Sequence, residues 1–231
     1  MRALFALLTG CATASSQPRT DDVPVVIELF TSQGCSSCPP AEQLLGKLAH
    51  AGSVGNRTIA PLAFHVDYWD DLGWKDPFSL PAWTARQQSY ARALGDDRVY
   101  TPELVVAGGA GMVGSQWARV EASIMAAPRQ QPVAAKATWE DARVTVTATA
   151  PADADVLVAV WENAPATKAL HGENSGEMLS GERVVRRLER VAEAGKTGTL
   201  AIALGPWKAA GAVAFAQRKD QRITGATLLP R

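Results

Sequence analysis

The sequence predicts an α/β domain followed by a mostly β, sandwich-like domain. In the first half, a mostly apolar run over residues 25–30 is typical of a buried strand and is followed by helix signals. In the second half, short alternating segments dominate, and residues 143–149 are the clearest of them. Pro128 and Pro132 bracket a glutamine-rich joint between the two patterns. We therefore place the domain boundary at this joint.

Composition limits the classes of function. The chain has 231 residues, enough for about two domains of ordinary size, with a formal net charge of zero. A neutral balance argues against nucleic acid as the main partner. The sequence contains no run of about 18 or more apolar residues, the length that spans a membrane. We expect a globular protein that acts on other proteins or on small molecules.

The N-terminus, residues 1–22, resembles an export signal followed by a polar tether. A positive start is followed by a short apolar stretch and small residues. Two cleavage sites compete: Leu8-Thr9-Gly10-Cys11 resembles a bacterial lipobox that would lipidate Cys11, while Ala12-Thr13-Ala14 fits a simple signal. Either site predicts a periplasmic protein, and the lipobox adds a lipid anchor to the membrane. The apolar stretch is short for a signal, so retention in the cytosol stays open as an alternative.

Cys35-Ser36-Ser37-Cys38 is the segment that carries chemistry. It follows the first strand directly, so we expect a helix to begin at about Cys35 or Ser36. Unpaired N–H groups and the positive end of the helix dipole favour a thiolate there. A Cys35 thiolate can attack a substrate disulfide, and Cys38 can resolve the mixed disulfide. The pattern predicts thiol–disulfide exchange with protein or small-thiol substrates, with no cofactor beyond the cysteine pair.

Other interpretations of the same two cysteines stay open. A zinc site usually takes four ligands, whereas the only further cysteine is Cys11 and the three histidines show no ligand spacing. No resident metal is therefore expected. A purely structural disulfide would gain little from closing so short a loop. The main alternatives are thiolates that hold a soft ion such as Cu(I), and a partner-binding module without redox chemistry.

A second landmark lies at residues 99–109, which read as a loop, a proline, an apolar strand and a glycine turn. Together with the strand, the cysteine pair and the helix before it, this order resembles the thioredoxin fold. The resemblance implies that Pro102 is cis and stands against the disulfide. It also implies that the Thr101 backbone pairs with an extended substrate chain. An ordinary trans proline that opens an edge strand is the alternative.

Longer phrases narrow the resemblance. Residues 28–41, 65–70 and 73–79 are similar to the DUF1223 family of thioredoxin-like exported bacterial proteins. The resemblance implies a thioredoxin-like domain over residues 23–128, followed by a β-rich domain over residues 132–231. It strengthens the expectation for the fold more than that for the function.

Glu28 lies on the first strand, seven positions before Cys35. Many thioredoxin-like proteins keep a buried acid near this place, below the disulfide. The resemblance implies that Glu28, desolvated and with a raised pKa, relays the proton of the resolving thiol. A carboxylate at the rim of the site or a charge at the end of the strand is the alternative.

Residues 68–94 form an insertion between the two landmarks. Its last part, Ala82 to Leu94, is rich in helix formers and predicts a helix. Trp69, Trp74 and Trp83 fit either a substrate groove near the thiols or a local core beneath a long loop, and large aromatic side chains more often fill cores.

Four further predictions are local. His65 and Asp67 lie on one face of a strand and can pair. Residues 112–127 fit a helix that closes the first domain. Residues 184–191 are ambiguous, because their apolar spacing fits a helix while the family resemblance suggests a strand. The remaining predicted strands of the β-rich domain are residues 155–161, 199–204, 212–217 and 222–229.

Overall fold

The computed structural model describes residues 23–96, 98–207 and 209–231. The predicted export signal and the Cys11 lipidation site lie outside these residues. The strands are β1 (Val25–Thr31), β2 (Ser53–Val54), β3 (Arg57–His65), β4 (Glu103–Val106), β5 (Gly111–Val113), β6 (Ala134–Glu140), β7 (Arg143–Thr149), β8 (Asp155–Lys168), β9 (Met178–Ala192), β10 (Thr197–Ala203), β11 (Gly211–Gln217) and β12 (Ile223–Leu229). The α-helices are α1 (Pro39–Ala51), α2 (Pro81–Leu94) and α3 (Trp117–Ala126).

One large mixed sheet organises the molecule. Its strands run in the order β12-β11-β8-β9-β3-β1-β4-β5, and β2 pairs with β3 at one end of that strand. Strand β1 lies parallel to β3 and antiparallel to β4. Every residue of β1 is buried, as expected of a central strand covered on both faces.

The predicted fold class is wrong. The protein is mostly β, and it is not an α/β thioredoxin-like domain followed by a separate β domain, because strands from both halves of the chain share the large sheet. The join lies between β3 and β9, which are parallel and meet where Ala63 is opposite Val184. Residues 184–191, ambiguous in sequence, belong to β9 and make this connection. A pairing between such distant segments leaves no local trace in the sequence.

Three apolar cores hold the layers together. Helices α1 and α3 cover one face of the sheet around β1, where Leu29 and Leu45 are among the buried residues. Helix α2 packs on the opposite face with Trp83 and Tyr90, against side chains from both halves of the chain. The three-stranded sheet β10-β7-β6 shares the third core with β8, β11 and β12.

The local predictions have mixed outcomes. The helix predicted from Ala82 to Leu94 is confirmed as α2. The helix predicted over residues 112–127 is partly wrong, because its first residues form β5 and α3 begins only at Trp117. Within the described ranges, no helix is long and apolar enough to cross a membrane.

Candidate functional site

Cys35 and Cys38 form a disulfide in the loop between β1 and α1, with their Cα atoms 5.4 Å apart. The predicted helix start at Cys35 or Ser36 is wrong, because α1 begins at Pro39 with Cys38 as its N-cap residue. Pro39 and Pro40 fit the first helical positions, where a missing N–H costs nothing. The second cysteine, not the first, therefore lies at the helix N-terminus.

The disulfide lies beneath the outermost turn of this loop. Cys35 and Cys38 are both 0% exposed, whereas Ser36 and Ser37 between them are exposed. The Sγ atom of Cys35 lies 3.3 Å from the Oγ atom of Ser37. The disulfide is thus buried, although the two residues between its cysteines are exposed to solvent.

The Thr101–Pro102 segment lies beside the cysteine loop. The peptide bond between these residues is cis, as the resemblance to the thioredoxin fold implies. The Ser37 hydroxyl donates to the Thr101 carbonyl at 3.5 Å, and the Trp69 indole N–H donates to the Thr101 hydroxyl at 2.8 Å. Thr101 is half-buried and Pro102 is buried. The structure therefore brings these two predicted site residues next to the cysteine pair.

The connection between β8 and β9, residues 169–177, reaches the same loop, and we call it the hairpin tip. The side-chain amide of the buried Asn174 donates to the carbonyls of Gln33 at 2.9 Å and Cys35 at 3.0 Å. The Glu173 carboxylate accepts the backbone N–H of Ser36 at 2.9 Å. These contacts join residues 137 to 141 positions apart, so sequence reasoning missed Glu173 and Asn174.

Residues 26–217 match the family described as "Protein of unknown function (DUF1223)". The chain belongs to the DUF1223 family. The predicted family is thereby confirmed, since the match covers most of the chain. Among curated proteins, no match to this DUF1223 protein is found.

A crystal structure of a protein from Agrobacterium tumefaciens is similar to this DUF1223 protein. The two are 28% identical, and the alignment covers 90% of this chain and 94% of that chain with a TM-score of 0.71. Because the similarity extends over almost the whole of both chains, it includes strands from both halves of the large sheet. The similarity supports the architecture of the DUF1223 protein as a whole.

Glu28 forms a buried ion pair with α2. Its side chain is 0% exposed, Arg86 Nε donates to Oε1 at 2.6 Å, and the Tyr90 hydroxyl donates to Oε2. Although burial opposes a charged guanidinium, the Glu28 carboxylate raises the pKa of Arg86. Gln217 completes the cluster by donating to the Tyr90 hydroxyl at 2.9 Å. The proton-relay role of Glu28 stays a prediction, and its contacts in this DUF1223 protein are those of an ion pair.

A second buried polar cluster lies where β1 leads into the cysteine loop. The Thr31 hydroxyl donates to Glu42 Oε1 at 2.7 Å. The Gln33 backbone N–H and His65 Nδ1 both lie 2.7 Å from Asp76 Oδ2. All five residues are at most 7% exposed. The cluster thus connects the loop to α1, to β3 and to the insertion.

The predicted pairing of His65 with Asp67 is wrong. His65 pairs with Asp76, while Asp67 accepts a hydrogen bond from the Thr84 hydroxyl at 2.5 Å. The core interpretation of the tryptophans is confirmed for Trp83, whereas the substrate-groove interpretation stays a prediction. Trp83 is 4% exposed in the core, whereas Trp69 and Trp74 are half-buried and hold the insertion against the site through Thr101 and Gln33.

Ionisation in the second cluster follows from burial and pairing. Burial raises the pKa of Glu42. Burial alone would lower the pKa of His65, but the carboxylates of Asp76 and Glu42 together outweigh it and the net shift is upward. Burial alone would raise the pKa of Asp76, but His65 and the backbone N–H groups of Gln33 and Phe78 together outweigh it and the net shift is downward. Glu42 lies one helical turn after Cys38, since its backbone N–H donates to the Cys38 carbonyl at 3.1 Å. The Glu42 carboxyl, which retains its proton more strongly than an ordinary glutamate does, therefore lies on α1, near the second cysteine along the chain.

We expect His65→Gln to destabilise the protein most in mild acid. Because the pKa of His65 is raised in the folded protein, its positive charge stabilises the fold fully below about pH 6.5. This contribution is lost as the pH rises through the pKa that His65 has in the folded protein. Asp76 has a lowered pKa, so its contribution is present above its ordinary value of 3.8 and is lost as the pH falls through the folded pKa. Urea unfolding of wild type and variant from pH 5 to pH 9 should give a difference that shrinks with rising pH.

An Asp76→Asn background provides the control for this prediction. With the carboxylate removed, His65→Gln should show a much smaller pH-dependent difference, because the partner that raises the pKa is gone. A difference that grows from pH 5 to pH 9 would contradict the predicted direction.

Proposed function

We propose that this protein is an exported thiol–disulfide oxidoreductase that exchanges disulfides with protein or small-thiol substrates. The observation that carries the proposal is the Cys35–Cys38 disulfide beside the Thr101–Pro102 segment. A loop this short gains little stability from closure, so a structural role accounts poorly for the bond. The Thr101 backbone, next to this pair, supports pairing with an extended substrate chain.

The chemistry requires two exchanges. In the reduced protein, the Cys35 thiolate attacks one sulfur of a substrate disulfide, so the substrate S–S bond breaks and one substrate thiolate leaves. The Cys38 thiolate then attacks the Cys35 sulfur, releases the second substrate thiolate and restores the Cys35–Cys38 disulfide. Two electrons pass to the substrate, and an external thiol reduces the pair again. The reverse sequence oxidises a substrate dithiol.

The second step requires that Cys38 lose its proton. We propose that Glu42 takes this proton in place of Glu28, whose carboxylate is paired with Arg86. The buried carboxyl of Glu42 has a raised pKa and lies on α1 one turn after Cys38. The hydrogen bond from Thr31 holds the Glu42 side chain in place within the buried cluster.

Turnover of the wild-type protein tests the proposal. We expect the full chain to reach a defined redox equilibrium with glutathione and to accelerate the reduction of insulin disulfides by dithiothreitol. Absence of insulin turnover together with no exchange with glutathione would refute the proposal. Metal analysis of protein purified without oxygen belongs to the same experiment, because stoichiometric copper without turnover would favour the metal-handling alternative.

Export and lipidation are part of the proposal. An oxidising compartment is where disulfides persist and have to be exchanged. Mass spectrometry of protein from a periplasmic or membrane fraction should find a mature chain that begins with lipidated Cys11 or directly after Ala14. An intact chain confined to the cytosol would contradict export.

A further inference from the structure

Disulfide exchange requires that a sulfur atom of the substrate contact a sulfur of the pair directly. Cys35 and Cys38 are both 0% exposed, so a substrate cannot reach either sulfur in the conformation described. Some part of the surrounding structure therefore has to move before exchange begins.

Three segments contact the cysteine loop, and they are not held equally. Thr101 leads directly into β4, which lies within the large sheet. The insertion is attached through Asp76, which is 1% exposed and accepts the Gln33 N–H. In the hairpin tip, only Ala169 and Asn174 are buried. The tip thus has little apolar contact to lose, which is typical of segments that open at low cost.

The tip is also built to move as a unit. It is closed internally by backbone hydrogen bonds, including those from Gly176 to Ala169 at 2.8 Å and from Glu177 to Asn174 at 3.1 Å. The strands that carry it pair irregularly, with register shifts between Glu162 and Ala164 and again before Thr167. Such irregularities bend a hairpin and interrupt its ladder. The tip can therefore swing at this irregular part without losing its own turns.

We infer that the hairpin tip is a cover over the Cys35–Cys38 disulfide, that hydrogen bonds of Asn174 and Glu173 hold it in place, and that its displacement controls the rate of exchange. Asn174 makes the buried part of this attachment, through its two hydrogen bonds to the Gln33 and Cys35 carbonyls. The inference deepens the proposed function and rests on it.

Glu173 adds an electrostatic effect to the cover. Its carboxylate accepts the amide N–H of Ser36, and this hydrogen bond lowers the pKa of Glu173, so the group is an anion at neutral pH. The Glu173 carboxylate uses the Ser36 N–H, a donor next to Cys35 that could otherwise stabilise a thiolate. Its negative charge also disfavours the formation of a thiolate on Cys35. The closed tip therefore restrains the pair both sterically and electrostatically.

The rate at which dithiothreitol reduces the disulfide in the full chain tests the cover. Asn174→Ala should raise this rate about tenfold or more, which corresponds to a loss of about 1.4 kcal/mol from the closed state. Glu173→Gln should raise it severalfold, because the Ser36 N–H then donates to a neutral and weaker acceptor, and because the charge that repels the attacking thiolate is removed. The reaction is stopped with an alkylating agent and followed by mass spectrometry.

Two variants of the same tip serve as matched controls. Glu177→Gln removes an equal charge from an exposed position, and Ser175→Ala removes a hydroxyl that donates to Leu170 within the tip. Both should react within twofold of wild type. The cover is refuted if Asn174→Ala and Glu173→Gln also stay within twofold. If Asn174→Ala fails to fold, the exposed Glu173→Gln decides on its own.

This measurement separates the cover from the proposed function, because it needs no turnover of a substrate. Faster reduction of the two variants, with neither insulin turnover nor exchange with glutathione, would uphold the cover and refute the oxidoreductase. Insulin turnover with unchanged variant rates would refute the cover alone.

Discussion

Cys35→Ser should lower the rate of insulin reduction by at least about 10³-fold, the scale expected when an enzyme loses its nucleophile. Cys38→Ser should also stop turnover, but at a later step. Without the second thiol the mixed disulfide on Cys35 cannot be resolved within the protein, so it accumulates. Turnover assays and mass spectrometry of each variant after incubation with glutathione disulfide measure the two outcomes.

Ser36→Ala is the matched control for the cysteine variants. It lies in the same loop with an exposed side chain, and its backbone N–H still donates to Glu173, although the side-chain hydrogen bond to Glu173 is lost. We expect this variant to retain turnover close to that of wild type. Accumulation of the mixed disulfide in Cys35→Ser instead of Cys38→Ser would assign the nucleophile to Cys38, which is the residue at the helix N-terminus.

Arg86→Met should lower the free energy of unfolding by about 3–5 kcal/mol, because it leaves a buried carboxylate without its cation. Glu28 is 0% exposed, and Arg86 is the guanidinium that pairs with it at 2.6 Å. Methionine keeps much of the volume of the arginine stem, so the loss should reflect the charge more than a cavity. Urea denaturation at neutral pH, analysed for midpoint and slope, measures the effect.

Two further variants make this prediction specific. Arg190→Met removes an arginine that is 54% exposed and pairs with Asp155 at the surface, and it should cost less than about 1 kcal/mol. Adding Glu28→Gln to Arg86→Met should recover part of the lost stability, because no charge then remains buried. A loss from Arg86→Met no larger than that from Arg190→Met would show that the ion pair contributes little.

Features that depend on neighbours in the chain could be predicted from sequence. The first strand, the cysteine pair in the loop after it, helix α2 and the short strand after Pro102 each follow from local patterns or from family phrases. The start of α1 was wrong although its signals are local. Pro39 and Pro40 occupy the first helical positions, so the helix begins there and not at Cys35 or Ser36.

The residues of the site could be predicted only in part, because some of them meet only in the folded protein. Thr101 and Pro102 were implied by the resemblance to the thioredoxin fold, whereas Asp76, Glu42 and Asn174 reach the cysteine loop through contacts between separate elements. The residues around Asp76 in the sequence do not indicate that His65 pairs with Asp76 and not with Asp67. Which carboxylate lies beside His65 depends on how the elements pack in the folded protein.

By itself, the sequence determined that this protein carries a pair of cysteines with redox spacing at the end of a buried strand, because spacing and apolar runs are local properties. Only the tertiary structure decided that strands from both halves share the large sheet. Residues 184–191 have an apolar pattern compatible with a helix or a strand, and they become a strand because β8 pairs with them along most of their length and β3 pairs with Val184. The same long hairpin brings Asn174 against the cysteine loop, since strand pairing between distant segments sets where its tip lies.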